Sequence, residues 1–144
     1  MAFLPEELAQ QLNESQNQSP EMRLKLFKSL SEYVSLIPVR GGFPEANEKP
    51  GEFKAATEPQ WQRWCTAKRL FNERDFSPDR AGLACGPASG VLVLDIDDWN
   101  RFETWKIATG KDFNHSTFTV RSSEKKGHFY FKLTSPNFLY QVKS

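Results

Sequence analysis

The stretch that most constrains this chain is Val91-Leu92-Val93-Leu94-Asp95-Ile96-Asp97-Asp98, an aliphatic run that ends abruptly in acid. Four consecutive apolar residues, two of them β-branched, predict a strand buried on both faces. Alternate residues of a strand share a face, so Asp95 and Asp97 project together, with Cα atoms roughly 7 Å apart, while Asp98 points elsewhere. Two carboxylates converging beside a hydrophobic strand repel each other and lose solvation. A divalent cation relieves both penalties, and Mg²⁺ favours sites of one or two carboxylates completed by substrate phosphates. The competing reading is structural: Asp97 or Asp98 caps a helix that starts at Trp99. The preceding loop, Ala81-Gly82-Leu83-Ala84-Cys85-Gly86-Pro87-Ala88-Ser89-Gly90, shifts the balance, because its glycines let backbone approach a ligand closely. Loop, strand and paired acids together predict a phosphate-and-metal site, with Ser89 as a nucleotide-binding candidate.

The rest of the chain supplies helices and two further strands. Residues 1–20 read as peripheral, with a short helix over Pro5–Asn13 carrying Leu8 and Leu12 on one side. Ser19-Pro20 predicts an N-cap and first helical residue. Leu24, Phe27 and Leu30 carry helical periodicity to about Ser35. Leu36-Ile37-Pro38-Val39 predicts a short strand at a sheet edge, because proline cannot donate to a ladder. The Arg40–Lys54 loop contains Lys49-Pro50; Lys49 is a candidate ligand lysine, weighed against a plain solvated loop lysine. Thr57 with Pro59 predicts a helix whose apolar face is Trp61, Trp64, Cys65 and Leu70, with Lys68, Arg69 and Arg74 exposed. Trp99 to about Ala108 predicts an amphipathic helix ended by Gly110.

Phe118-Thr119-Val120-Arg121 predicts a third strand, and Ser122 to Gly127 a turn. His128-Phe129-Tyr130-Phe131-Lys132-Leu133 alternates clearly: Phe129, Phe131 and Leu133 face a core, and His128, Tyr130 and Lys132 the other side. A histidine there, beside a basic turn, can donate to a phosphate, although an ordinary surface histidine also fits that strand taken alone. His115 has no supporting pattern.

Composition narrows the function classes. A chain of 144 residues is the length of one domain, and 38% hydrophobic with 26% charged residues is ordinary for a globular protein. A net charge of +1 gives no global field towards nucleic acid or membrane, so any such contact is a local patch. Cys65 and Cys85 read as buried free thiols in a reducing cytoplasm, and without a C-x-x-C a zinc module is unsupported. No signal peptide and no apolar run of about 18 residues is present, so the expected location is cytoplasmic, with no membrane partner.

The order of these pieces, from about Leu26 to Leu133, resembles the bifunctional DNA primase/polymerase (prim-pol) domain of the archaeo-eukaryotic primase superfamily. The specific elements are the Gly86-Pro87-Ala88-Ser89-Gly90 loop fused to the aliphatic Asp95-x-Asp97, then Thr119-Val120-Arg121-Ser122, then Gly127-His128-Phe129-Tyr130-Phe131. The resemblance implies an α/β (α+β) primase-type core, a mostly antiparallel sheet with an RRM-like half and flanking helices. It implies that Asp95 and Asp97 hold Mg²⁺ or Mn²⁺, that His128 binds the incoming nucleotide's phosphates, and that Arg121 contacts phosphate or template. The partners implied are a DNA template and primer, a dNTP or NTP, and a replicative helicase of the plasmid or phage type. The family's third acid, downstream of the histidine strand, has no counterpart here, because no Asp or Glu follows Glu124. The expectation is therefore a peripheral segment 1–20 and a catalytic domain 21–144 truncated before that third acidic motif. The alternative is a catalytically inactive module that binds nucleotide or single-stranded nucleic acid. A haloacid-dehalogenase-like phosphohydrolase also begins on an aliphatic strand with D-x-D, but Asp98-Trp99 follows here and the motif lies mid-chain. G-x-G-x-x-G and P-loop patterns are absent.

Overall fold

In the computed structural model, residues 4–43, 45–47, 55–111, 118–121 and 123–133 are described. Helix α1 spans Glu6–Asn13, with Glu6 and Glu7 in the first turn, where the helix dipole favours negative charge. Helix α2 spans Pro20–Leu30 and begins as its sequence dictates: Pro20 is the first helical residue, and the Met22 amide donates to Ser19 Oγ at 3.3 Å. It ends earlier than the expected Ser35. The Val34 amide returns to the Leu30 carbonyl at 3.1 Å, a turn that drives Val34 into full burial. Leu8 of α1 packs with Leu4 and with Leu26 of α2, flanked by Leu12 and Leu30, so the N-terminal helix closes a small core of its own.

Strand β1, Leu36–Pro38, pairs antiparallel with β2, Ala81–Leu83. Strands β3 (Val91–Ile96), β4 (Phe118–Arg121) and β5 (Gly127–Lys132) form a second antiparallel sheet in the order β3-β5-β4. Helix α3, Trp99–Thr109, follows β3. The Asp98 carboxylate accepts from the Arg101 amide at 3.1 Å, and Gly110, at φ 65°, ends the helix in the left-handed conformation. The architecture is α+β, with three α-helices and two small antiparallel sheets among the described residues. No described helix is long and apolar enough to cross a membrane.

The period of two in β3 and β5 divides the core. Val91, Val93 and Tyr130 face one way and pack with Val34, Leu36, Phe76, Leu83 and the apolar side of α2. Leu94, Ile96, Phe129 and Phe131 face the other way and meet Trp99 and Phe102 of α3. Burial of β3 on both faces is thus only partial. Leu92 is 47% exposed, because β3 is an edge of its sheet and the α3 aromatics reach Leu94 and Ile96 without covering it.

Two further expectations are corrected. The segment after Pro59 forms a five-residue 3₁₀ turn, Trp61–Cys65, entered through Gln60 at φ 55°, not a helix reaching Leu70. Trp61, Trp64 and Cys65 already satisfy their burial against Ile37 and Ala84 within that turn. The chain then runs on so that the Arg69 amide donates to Ser35 Oγ at 3.0 Å, which leaves Leu70 89% exposed. Arg69, expected in solvent, is only 7% exposed. Its guanidinium is tied to Glu58 at 2.6 Å and Asp75 at 2.9 Å.

Candidate functional site

Antiparallel register sets Asp95 directly opposite His128. On one face of such a pair, opposed side chains are the closest cross-strand neighbours, and His128 Nε2 lies 3.1 Å from Asp95 Oδ1. Asp97 follows the strand end, and Lys126 Nζ stands 3.8 Å from its Oδ1. Lys126 and His128 are themselves alternate residues, so their contacts with Asp97 and Asp95 place all four side chains on one face. This is the face that carries Val91 and Val93 into the core. Where that core runs out, the strand continues into water: the Asp95 side chain is 61% exposed and that of Asp97 83%. Beneath them, the Tyr130 ring meets the His128 ring edge-on, with centroids 6.2 Å apart. Burial, then the neighbouring Cys85 and Asp95, push the Tyr130 hydroxyl above its ordinary range.

Asp98 is the helix cap, so the structural reading of the acidic run holds for Asp98 while Asp95 and Asp97 remain available. Both are solvent-exposed carboxylates at the end of β3, Asp95 within the strand and Asp97 just past it, the donor type that takes Mg²⁺ or Mn²⁺ with water and phosphate completing the shell. In kind they fit such an ion. Among the described residues, no three His, Cys, Asp or Glu side chains gather to hold a metal by themselves.

The other candidates are placed elsewhere. In β4, Arg121 pairs with Gly127, one residue out of phase with His128. Its guanidinium lies 4.0 Å over the Trp99 ring and donates to the Glu124 carbonyl at 2.6 Å, on the α3 side of the sheet. Ser89 is buried: its hydroxyl donates to the Ala84 carbonyl at 2.5 Å and accepts from the Ser35 amide at 2.8 Å. The glycine-rich loop around it closes on the protein. The Gly86 amide donates to the Val91 carbonyl, the Gly90 amide to the Gly86 carbonyl and the Ala88 amide to the Cys65 carbonyl. Gly86 sits at φ 120°, and a Cβ there would lie 3.0 Å from the Cys65 carbonyl oxygen, so the close backbone approach that demands glycine is to Cys65. Lys49, Ser122 and His115 lie outside the described residues.

Ser89→Ala is therefore expected to lower stability by about 1–3 kcal/mol, since the buried Ser35 amide and Ala84 carbonyl lose their bridge. A urea midpoint for that variant equal to the wild type would show the bridge to be dispensable.

Lys126 and Tyr130 are the contributors that motif reading undervalues. Both follow from simple alternation on either side of His128. Cys65 and Cys85 are free thiols. Burial, then the proximity of Cys65, pushes Cys85 up to about 11, and burial also raises Cys65, so neither is a ready thiolate nucleophile. Comparison of the chain with protein families, curated proteins and solved structures gave no match.

Proposed function

We propose that this chain is a nucleotidyltransferase domain of primase/polymerase type, which joins dNTPs or NTPs to a primer or an initiating nucleotide on a DNA template. The observation that supports this reading is the Asp95–His128 opposition across β3 and β5, with Asp97 beside it on the same face. Acids for metal and an imidazole with a lysine for triphosphate then stand in one row. Asp95 and Asp97 would hold Mg²⁺ or Mn²⁺, which when bound would supply charge neutralisation for in-line attack of a hydroxyl on the α-phosphorus, with pyrophosphate leaving. His128, in its protonated form, donates to non-bridging phosphate oxygens. Lys126 adds an exposed cation beside Asp97. No protein nucleophile is needed. A replicative helicase is the partner such a domain would serve.

One observation favours a second reading. Lys126 stands against Asp97, where a metal would compete with it. A module that binds nucleotide or single-stranded nucleic acid without joining it would use that cation directly.

Calorimetric titration of a dNTP, with Mn²⁺ and with the metal chelated, decides the metal site. Mn²⁺ is expected to strengthen binding at least about tenfold, equivalent to about 1.4 kcal/mol. An affinity indifferent to Mn²⁺ removes the metal from the proposal and favours the binding module. Primer extension on a DNA template then separates a polymerase from a binder.

A further inference from the structure

A cleft of about 360 Å³ opens between the end of α1 and the sheet. That is the small end of the range for ligand pockets, roughly 300–1,000 Å³. One wall is Leu12, Asn13 and Gln16, at the end of α1 and the turn after it; the other is Val120 and Tyr130 of the three-stranded sheet, with Leu83 of β2 beside them. The helical wall is fixed in place, because Arg23 of α2 donates to the Ser15 carbonyl at 3.1 Å and to the Gln16 carbonyl at 2.8 Å. The sheet wall adjoins the acid–histidine row. Val120 is the β4 partner of His128 in register, and Tyr130 is the next residue of β5 on that face, its ring edge-on to His128. The Tyr130 wall of the cleft thus lies two residues, about 7 Å, along β5 from His128.

We infer that this cleft receives the base and sugar of the nucleotide whose phosphates meet His128, an inference that rests on the nucleotide reading above. An aromatic ring and aliphatic side chains line the interior, which suits the flat face of a heterocycle. The Asn13 and Gln16 amides belong to the rim, where the polar edge of a base needs both donors and acceptors. A lipid tail would gain nothing from those amides, and a peptide would have no use for the row of acid and imidazole beyond Tyr130. The helical segment at the N-terminus then becomes part of the binding site, a role that the sequence pattern did not assign to it.

The test compares a dNTP with inorganic tripolyphosphate, both with Mn²⁺, on wild type, Gln16→Trp and Asn13→Ala. Tripolyphosphate reads the phosphate row alone. Wild type is expected to bind the dNTP at least about tenfold more tightly than tripolyphosphate. Gln16→Trp, which fills the rim at an exposed position, is expected to erase that preference while keeping tripolyphosphate affinity, which also shows the variant folded. Asn13→Ala is expected to reduce the preference several-fold. Equal wild-type affinities for the two ligands, or a preference untouched by Gln16→Trp, overturn the cleft assignment and leave the phosphate row standing. Failure of both ligands to bind wild type overturns the nucleotide reading itself, and the cleft assignment with it.

Discussion

Arg69→Ala is expected to destabilise the fold by about 3 kcal/mol, far more than an ordinary surface arginine would. The guanidinium donates to Glu58 at 2.6 Å, to Asp75 at 2.9 Å and to the Leu70 carbonyl at 3.0 Å, and it lies 5.3 Å from the Phe76 ring centroid. Its hydrogen bonds thus tie the segment before the 3₁₀ turn to the chain beyond it, over the core residue Phe76. Truncation leaves two carboxylates facing each other without their cation and exposes the Phe76 face. Glu58 and Asp75 keep partial contact with water, which holds the figure at the lower end of the range for buried pairs. Arg69→Lys is expected to recover less than half of the loss, because one ammonium cannot reproduce a planar fork that reaches both carboxylates and a carbonyl. Urea unfolding reads both variants as shifts in midpoint at constant slope. A loss below about 1 kcal/mol for Arg69→Ala would mean that the network behaves as hydrated surface pairs.

Much of the fold was legible because local signals and tertiary packing agree. Ser19-Pro20 and Asp98 cap helices as their side-chain chemistry predicts, and Gly110 ends α3 at a positive φ. The alternation in His128–Leu133 separated the two faces, but the face of His128 is not open throughout: Tyr130 on it packs into the core with Val34 and Leu36. The Asp95–His128 opposition then follows from antiparallel register alone. Four features were not legible. The apolar spacing of Trp61, Trp64, Cys65 and Leu70 looks helical, yet a single 3₁₀ turn buries the first three, and the Arg69 amide is drawn to Ser35 instead. Arg69 is buried because Glu58 and Asp75, on either side of it in the chain, converge on its guanidinium, and periodicity carries no sign of such pairing. The glycine loop reads as a ligand cradle because its glycines let backbone approach a partner closely. The sequence could not say that the neighbour is the Cys65 carbonyl. Likewise Arg121 lies one residue out of phase with His128, a relation fixed by pairing register and invisible in the Thr-Val-Arg segment itself.

Asp95→Ala is expected to weaken Mn²⁺-dependent dNTP binding at least about a hundredfold, equivalent to about 2.8 kcal/mol, and to leave stability within about 1 kcal/mol of wild type. The two effects separate because the Asp95–His128 contact is a half-exposed pair, and such pairs contribute 0–1 kcal/mol to folding. Asp97→Ala is expected to cost less, about tenfold. Asp97 lies past the end of β3, is the more exposed carboxylate and already has Lys126 beside it, so its position is less fixed than that of a strand residue. His128→Ala is expected to weaken dNTP binding both with and without Mn²⁺, since a phosphate donor acts in either state, whereas Asp95→Ala matters mainly when the metal is present. Combining Asp95→Ala with His128→Ala is expected to cost less than the sum of the single losses, because both groups would serve one bound triphosphate. Strict additivity would mean two independent sites. Binding by Asp95→Ala within about twofold of wild type would show that the acidic end of β3 is a solvated strand terminus, which removes the metal from the proposal and favours the binding module.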